Sequence, residues 1–225
     1  MDIFEILGPI MVGPSSSHTA GAVRIGNMAR TLLGQEPAWA QIDLYGSFAD
    51  TGRGHGTDRA LVAGLLGMTP DDLRVPESFQ LAKESGLEVQ FGLAQLRQAH
   101  PNTAVLHLRG KQGARLEMQA CSVGGGRIQV TRLDGIDVSF TGDFNTLVVH
   151  NRDAYGLVAE VSRMLSMAHI NIANMSTCRH ERGGDALMVI ETDQQVPPAV
   201  LAWIRELPKV IGVTYYQRPT EENNV

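Results

Sequence analysis

The chain has 225 residues, of which 43% are hydrophobic and 19% are charged, and its formal net charge is −5 at pH 7. This composition is typical of a globular protein with one or two domains and a substantial core. The 19 basic residues are dispersed along the chain, so no basic stripe is available for a nucleic-acid backbone. The sequence has neither an apolar run of about twenty residues nor a signal-peptide pattern, which predicts a cytoplasmic protein without a membrane partner.

A polar run with three serines, a histidine and a threonine precedes the first helical pattern. The run extends from Gly13 to Thr19, and apolar residues then recur at helical spacing as far as Gly34. Hydroxyls, an imidazole and free backbone N–H groups therefore gather at a helix start, an arrangement that suits a carboxylate. In the alternative interpretation, Ser17 or Thr19 only caps the helix.

A second polar run, from Gly46 to Ala60, contains four glycines and a histidine. It lies between a predicted strand, Gln41 to Gly46, and a predicted helix, Leu61 to Leu66. We therefore expect a strand, a glycine turn and a helix in this region. The glycines lack the G-x-G-x-x-G spacing of dinucleotide-binding loops, and the chain has no G-x-x-x-x-G-K-[ST] phosphate loop, so a nucleotide site is not indicated.

The first domain is predicted to comprise residues 1–143. Its second half is richest in strand signals. A proline-containing connection over residues 69–77 leads to β-rich segments that glycine turns separate. This order predicts an α+β architecture, with an antiparallel sheet and helices segregated from it. The predicted strands are Thr103–Arg109, Arg115–Val123, Arg127–Leu133 and Ile136–Phe140.

A different order of elements is predicted over residues 145–218, the second domain. It reads strand, helix, strand, strand, helix, strand, which is the ferredoxin-like βαββαβ order. The last residues, 219–225, are polar and acidic without periodicity, which predicts a flexible tail. The six predicted elements are Leu147–His150, Gly156–Ala168, Asn171–Arg179, Asp185–Thr192, Pro198–Leu207 and Val210–Gln217.

Three segments in this order resemble the beta chain of the bacterial iron–sulfur L-serine dehydratases. They are Met11–Thr19, Gly46–Met68 and the C-terminal segment, which has the pattern of an ACT domain although Tyr155 stands where that family often has proline. The resemblance implies an N-terminal α+β substrate-binding domain followed by a ferredoxin-like ACT domain. It also implies the conversion of L-serine into pyruvate and ammonia.

Serine dehydration removes an unactivated α-proton and expels the β-hydroxyl, a task in which a cofactor usually takes part. Pyridoxal phosphate needs a Schiff-base lysine, and Lys83, Lys111 and Lys209 all lie outside the two polar runs. A Lewis acid with an open coordination position is the other solution, and the resemblance implies a [4Fe–4S] cluster. The two cysteines, Cys121 and Cys178, cannot supply its usual three or four thiolates, so we expect a separate alpha chain to hold it.

The resemblance and the motif positions together indicate candidate site residues. His18 and His55 are the candidates for proton transfer, because an imidazole titrates near neutral pH. Hydroxyls of the first run would bind the substrate carboxylate, and polar residues of the second would orient the imidazoles or meet the ammonium, although Thr57 or Asp58 could instead cap a helix. The substrate-binding candidates are Ser15, Ser16, Ser17, Thr19, Asp50, Thr51, Thr57 and Asp58.

ACT domains commonly bind amino acids between paired copies, so the resemblance implies homodimerisation and a regulatory ligand at Asn151, Asp153, Gly156 and Asn171. In the alternative interpretation Asp153 only caps a helix, and Asn171 and Asn174 only satisfy strand ends. Two rival functions stay open. One is a non-catalytic serine-sensing module like that of some phosphoglycerate dehydrogenases, and the other is an assembly subunit. The two histidine-bearing runs favour catalysis over sensing, because a sensor needs no proton donors.

Overall fold

The computed structural model describes residues 11–218, so the predicted tail lies outside the described residues. The chain divides into two compact units, of which the first ends at Gly135 and the second begins at Ile136. The predicted domain boundary, between residues 143 and 145, stays a prediction. None of the helices within residues 11–218 is long and apolar enough to cross a bilayer.

The first unit begins with a π-helical turn, Ser16–Gly21, that continues directly into helix α1, Ala22–Leu33. Gly34 ends α1 with φ at 72°, as its sequence position predicts. The N-cap is Ser15, whose hydroxyl accepts a hydrogen bond from the His18 N–H. The prediction that the serine run caps this helix is therefore confirmed, whereas the alternative cap at Ser17 or Thr19 is wrong.

Strand β1, Pro37–Tyr45, leads into two helices, α2 at Ser47–His55 and α3 at Thr57–Leu65. The prediction of a glycine turn is wrong, because most of the glycine run is helical. Glycine costs only about 1 kcal/mol relative to alanine inside a helix, a cost that tertiary packing can offset. Phe48, which is fully buried, anchors α2, and Gly56 ends it with φ at 73°.

Helices α1 and α3 touch through their backbones. An added Cβ at Gly26 would lie 2.4 Å from the Leu61 carbonyl oxygen, and one at Gly64 would lie 2.1 Å from the Val23 carbonyl oxygen. Both distances are far below van der Waals contact, so each position admits only glycine in this packing. The crossing orients the π-helical turn relative to the helices that follow β1.

The sheet of the first unit continues after a 3₁₀ turn, Val75–Glu77, and helix α4, Ser78–Ser85. Its further strands are β2 at Glu88–Leu93, β3 at Thr103–Gly110, β4 at Arg115–Gly124 and β5 at Arg127–Leu133. Within the unit the strand order is β2-β1-β3-β4-β5, and α1 packs on β3, β4 and β5. The predicted α+β class is confirmed, as are three of the four predicted strands, which are β3, β4 and β5.

One strand pair departs from the predicted antiparallel sheet. β2 pairs with β1 in parallel, whereas the pairs β1–β3, β3–β4 and β4–β5 are antiparallel. A parallel pair needs a long crossover, and α2, α3 and α4 supply it between β1 and β2. Neither α4 nor β2 was predicted from the sequence, so this crossover was not expected.

The second unit begins with β6, Ile136–Phe140, and continues with β7, Asn145–Arg152, and α5, Leu157–Met167. Then follow β8, Ile172–Arg179, β9, Asp185–Thr192, α6, Pro198–Arg205, and β10, Val210–Tyr216. The antiparallel order β10-β7-β9-β8 confirms the ferredoxin-like prediction. The core between this sheet and its two helices includes Leu147, Val149, Val161, Leu165, Ile190 and Ile204.

Candidate active site

Three hydroxyls surround the imidazole of His18 in the first unit. On one side, Ser15 Oγ lies 3.3 Å from Nδ1. On the other, Thr51 Oγ1 lies 3.1 Å and Ser47 Oγ 3.3 Å from Nε2. The ring is buried, with 8% of the residue exposed. Both ring nitrogens therefore lie at hydrogen-bonding distance from hydroxyl groups.

The second predicted histidine, His55, stands beside this ring. Its ring centroid is 4.9 Å from that of His18, with the planes at 71°, and Phe48 flanks His18 at 5.3 Å. His55 is exposed whereas His18 is buried. The structure thus brings the two polar runs together and leaves one of the two imidazoles open to solvent.

Helix α2 explains how the second run reaches His18. Ser47, Thr51 and His55 are spaced by four residues, so all three lie on one face of this helix. Ser47 is not among the residues predicted from the sequence, because a turn was expected where α2 lies. The spacing of hydroxyl, hydroxyl and imidazole at intervals of four was the signal that a helical interpretation would have used.

Burial lowers the pKa of His18, and the nearby His55 lowers it further through charge repulsion, while a hydrogen bond to the Ser47 backbone acts in the opposite direction. The neutral imidazole is therefore the favoured form near pH 7. A neutral ring has one N–H donor and one acceptor nitrogen, which suits it to accept a proton.

The lowered pKa predicts an acid-side loss of stability. Between the folded-state pKa and the unfolded value of about 6.5, the unfolded chain binds more protons at this residue. The free energy of unfolding should therefore fall as the pH drops below about 6.5 and level off below the folded-state pKa. Urea unfolding of wild type and His18→Gln at a series of pH values measures this, since the histidines that do not contact His18 contribute equally to both. We expect a smaller acid-side loss in the variant, and equal losses would contradict the assignment.

The remaining candidates in the two runs lie around this cluster in different ways. Ser16 and Ser17 are half-buried in the π-helical turn, and Asp50 is exposed in the first turn of α2. Asp58 accepts a hydrogen bond from the Arg59 N–H at 2.8 Å. The N-cap of α3 is Gly56, without a side-chain cap, so the alternative in which Thr57 or Asp58 caps this helix is wrong. Within the described residues, the side chains hydrogen-bonded to the His18 ring do not include Ser16, Ser17, Asp50 or Asp58.

Thr19 and Thr57 are buried inside the first unit. Thr19 is 2% exposed and Thr57 is fully buried, and neither hydroxyl has a hydrogen-bond partner within residues 11–218. Gly13 lies against Thr19, where an added Cβ would be 2.2 Å from the hydroxyl oxygen. Both side chains are packing residues in this arrangement, and their predicted contact with substrate stays a prediction.

The described residues do not fit an iron–sulfur cluster. Within residues 11–218, no group of three or more histidine, cysteine or acidic side chains is placed to hold a metal ion. Cys121 is buried in β4, where burial raises the pKa of its thiol, and Cys178 belongs to β8 of the second unit. A cubane requires several thiolates at one place, and these two cysteines do not provide them.

A cavity of about 320 Å³ lies in the second unit where β7 meets α5. Asn151 and Asp153 line it, and the buried Asn151 Oδ1 has no partner within the described residues. Asp153 accepts a hydrogen bond from the Gly183 N–H at 2.9 Å and forms an ion pair with Arg179, both of which lower its pKa. Gly156, with φ at 83°, is the N-cap of α5, so the alternative in which Asp153 caps this helix is wrong.

Asn171 lies at the opposite end of this sheet. It precedes β8, and the first residue of β8 pairs with Thr192. Arg179, at the other end of β8, contacts Asp153. The strand between them spans roughly 25 Å. The side-chain amide of Asn171 donates a hydrogen bond to Asp193 Oδ2 at 2.6 Å. Within one chain, Asn171 is therefore not part of the cavity that Asn151 and Asp153 line.

Comparisons with known proteins agree with this two-part organisation. The family model described as serine dehydratase beta chain matches residues 1–85, and the ACT domain model matches residues 145–209. These matches define the class: a serine dehydratase beta-type domain followed by an ACT domain.

Full-length relatives make the assignment more specific. The chain is 41% identical over 212 residues to a protein named probable L-serine dehydratase, beta chain, from Bacillus subtilis, with 94% of this chain and 96% of the relative covered. It is 35% identical over 215 residues to the L-serine dehydratase beta chain of Peptoniphilus asaccharolyticus, covering 95% and 97%. D-3-phosphoglycerate dehydrogenase of Bacillus subtilis is 21% identical over 162 residues, covering 72% of this chain and 31% of that enzyme. The chain belongs to the family of L-serine dehydratase beta chains.

Proposed function

We propose that this chain is the substrate-binding subunit of an L-serine dehydratase, which converts L-serine into pyruvate and ammonia. The observation that carries the proposal is the cluster of Ser15, Ser47 and Thr51 around His18, with the exposed His55 beside it. Family membership indicates the reaction. The hydroxyls and imidazoles around His18 are chemical groups suited to it.

Carboxylate binding and α-proton removal each have candidate groups in the first unit. The N–H groups of Ser16 and Ser17 open the π-helical turn and lack intrahelical acceptors, so they can bind a carboxylate. His18 and the exposed His55 are the two rings that can accept the α-proton once serine is held nearby. Binding the substrate also expels water from around His18, which strengthens the polar contacts there.

The [4Fe–4S] cluster that we assign to this reaction belongs to a separate alpha chain in our proposal. The donor set of this chain supports that division, since its two cysteines stand in different units. We further propose a cytoplasmic assembly that contains the alpha chain and pairs two copies of this chain through the ACT domain.

Anaerobic reconstitution tests the proposed function. The tagged chain, purified together with its alpha chain or alone, is assayed for iron and for pyruvate formed from L-serine. We expect pyruvate only when both chains and iron are present. Loss of activity on prolonged aeration would follow, because an iron with an open position is exposed to oxidant. An iron-containing two-chain complex that makes no pyruvate would overturn the proposal.

A serine-sensing module is the second candidate, and the similarity to a phosphoglycerate dehydrogenase favours it. A sensor binds serine through hydroxyls and N–H groups without a need for proton acceptors. Calorimetric binding of L-serine by the isolated chain, together with inactivity of the reconstituted complex, would favour this function over catalysis.

We also propose that the cavity at Asn151 and Asp153 binds an amino-acid effector. The unpartnered Asn151 Oδ1 and the Asp153 carboxylate are acceptors for an ammonium group, and the cavity volume of about 320 Å³ accommodates a small amino acid. A thermal-shift screen of the common amino acids on the full chain tests this. We expect at least one to raise Tm in wild type but not in Asn151→Leu or Asp153→Asn, and equal shifts in all three proteins would contradict the site.

A further inference from the structure

We propose that Thr51 sets the tautomer of His18, holding the imidazole with its proton on Nε2 and its lone pair on Nδ1. The inference deepens the proposed function, because it names a positioning residue for that site. The hydrogen-bond pattern behind it involves only residues of this chain.

The Thr51 hydroxyl has a single proton to donate. Thr51 Oγ1 lies 2.8 Å from the Ser47 carbonyl oxygen, which can only accept, so the hydroxyl donates to it. The same Oγ1 lies 3.1 Å from His18 Nε2. With its proton committed to the carbonyl, the hydroxyl oxygen can only accept from the ring, and Nε2 must therefore carry the hydrogen.

The other ring nitrogen of His18, Nδ1, faces the Ser15 hydroxyl. Ser15 Oγ accepts a hydrogen bond from the His18 backbone N–H at 3.3 Å, and it lies 3.3 Å from Nδ1. In the neutral ring with hydrogen on Nε2, Nδ1 is an acceptor, so the Ser15 hydroxyl donates to it. Ser47 Oγ, 3.3 Å from Nε2, is a further acceptor for the ring N–H. One arrangement of protons satisfies all of these contacts.

The opposite tautomer conflicts with the same contacts. A lone pair on Nε2 would face the Thr51 oxygen at 3.1 Å, unless Thr51 gave up its bond to the Ser47 carbonyl. Ser47 Oγ, 3.3 Å away, could then donate to Nε2, but the Thr51 oxygen would still face a lone pair at 3.1 Å. Burial of the ring makes this contact between two acceptors costly, because water cannot screen it.

This assignment gives the two ring nitrogens of His18 different roles. Nδ1 is the only nitrogen of His18 with a free lone pair, and Ser15 occupies it. A proton accepted by His18 therefore arrives on the Ser15 side, whereas the Nε2 side serves as a donor. Thr51 acts through the ring, so it is a positioning residue.

Nitrogen-15 NMR of the full chain, labelled at histidine, tests the proposal without partner or substrate. Ring correlations at neutral pH distinguish the two tautomers, and the His18→Gln spectrum assigns the His18 signals. We expect the Nε2–H form in wild type and in Thr51→Ser, which keeps the hydroxyl. In Thr51→Val, which lacks it, we expect an increased population of the Nδ1–H form.

A wild-type His18 in the Nδ1–H form would overturn the proposal, whether or not the Thr51 variants fold. An unchanged tautomer population in a folded Thr51→Val would overturn it as well. In the reconstituted enzyme we expect Thr51→Val to lower kcat by about 10-fold to 100-fold with little change in KM, and Thr51→Ser to restore it. If the NMR result holds while no enzyme forms pyruvate, the proposed function fails and the tautomer assignment stands.

Discussion

Replacing His18 with asparagine should lower kcat for serine dehydration in the assembled enzyme by about 100-fold to 10,000-fold, the usual contribution of a positioned proton-transfer group. The imidazole is the centre of the site, since Ser15 and Thr51 contact its two nitrogens and His55 packs against its ring. Asparagine keeps a polar side chain but cannot accept a proton near neutral pH. Steady-state kinetics on the reconstituted complex, with iron content and partner binding verified, measure the effect.

His107→Asn is the matched control. His107 lies on β3 between two carboxylates, 3.4 Å from Glu117 and 3.9 Å from Asp43, away from the contacts of His18. We expect the kcat of the His107→Asn enzyme to equal that of wild type. Full turnover by an iron-loaded His18→Asn complex would end the catalytic role of His18. Weaker serine binding as the sole effect would instead favour the sensor function.

Gly64→Ala should have the largest effect on stability, lowering the free energy of unfolding by about 3 kcal/mol or more, at the upper end of overpacking costs. The added methyl group would lie 2.1 Å from the Val23 carbonyl oxygen and 2.8 Å from the Asn27 nitrogen. Both are backbone atoms of the facing helix, so no side-chain rotation can relieve the contact. The helices α1 and α3 must separate, which also displaces the π-helical turn that carries His18. Urea unfolding measures the change.

Gly54→Ala is the control for this substitution. Gly54 is also helical, has no positive φ, and an added Cβ would meet nothing within 4 Å. Alanine should therefore leave stability unchanged or raise it by up to about 1 kcal/mol, because it reduces the conformational freedom of the unfolded chain. Equal destabilisation by both substitutions would show that the α1–α3 crossing does not require glycine.

Periodic segments were predictable from sequence because their signal is local. β5, β6 and β9 have the predicted limits, and the βαββαβ order of the second unit follows from alternating strand and helix patterns. The two histidine-bearing runs were also recognisable, since hydroxyls and imidazoles at a helix start form a chemical pattern before any fold is known.

Other features depended on residues far apart in the chain. α2 forms although its glycines weaken the helical signal, because Phe48 is buried beneath it. β2 pairs in parallel with β1 only after three helices have crossed over, and no local pattern specifies such a partner.

The candidate site divides in the same way. The sequence by itself determined which two runs carry the chemistry and that His18 and His55 belong to them. Only the tertiary structure decided that Ser47 and Thr51 contact His18, that Thr19 and Thr57 are buried, and that Asn171 lies far from Asp153. The physical reason is that residue type and spacing specify what a side chain can do, whereas helix packing and strand register specify which side chains meet.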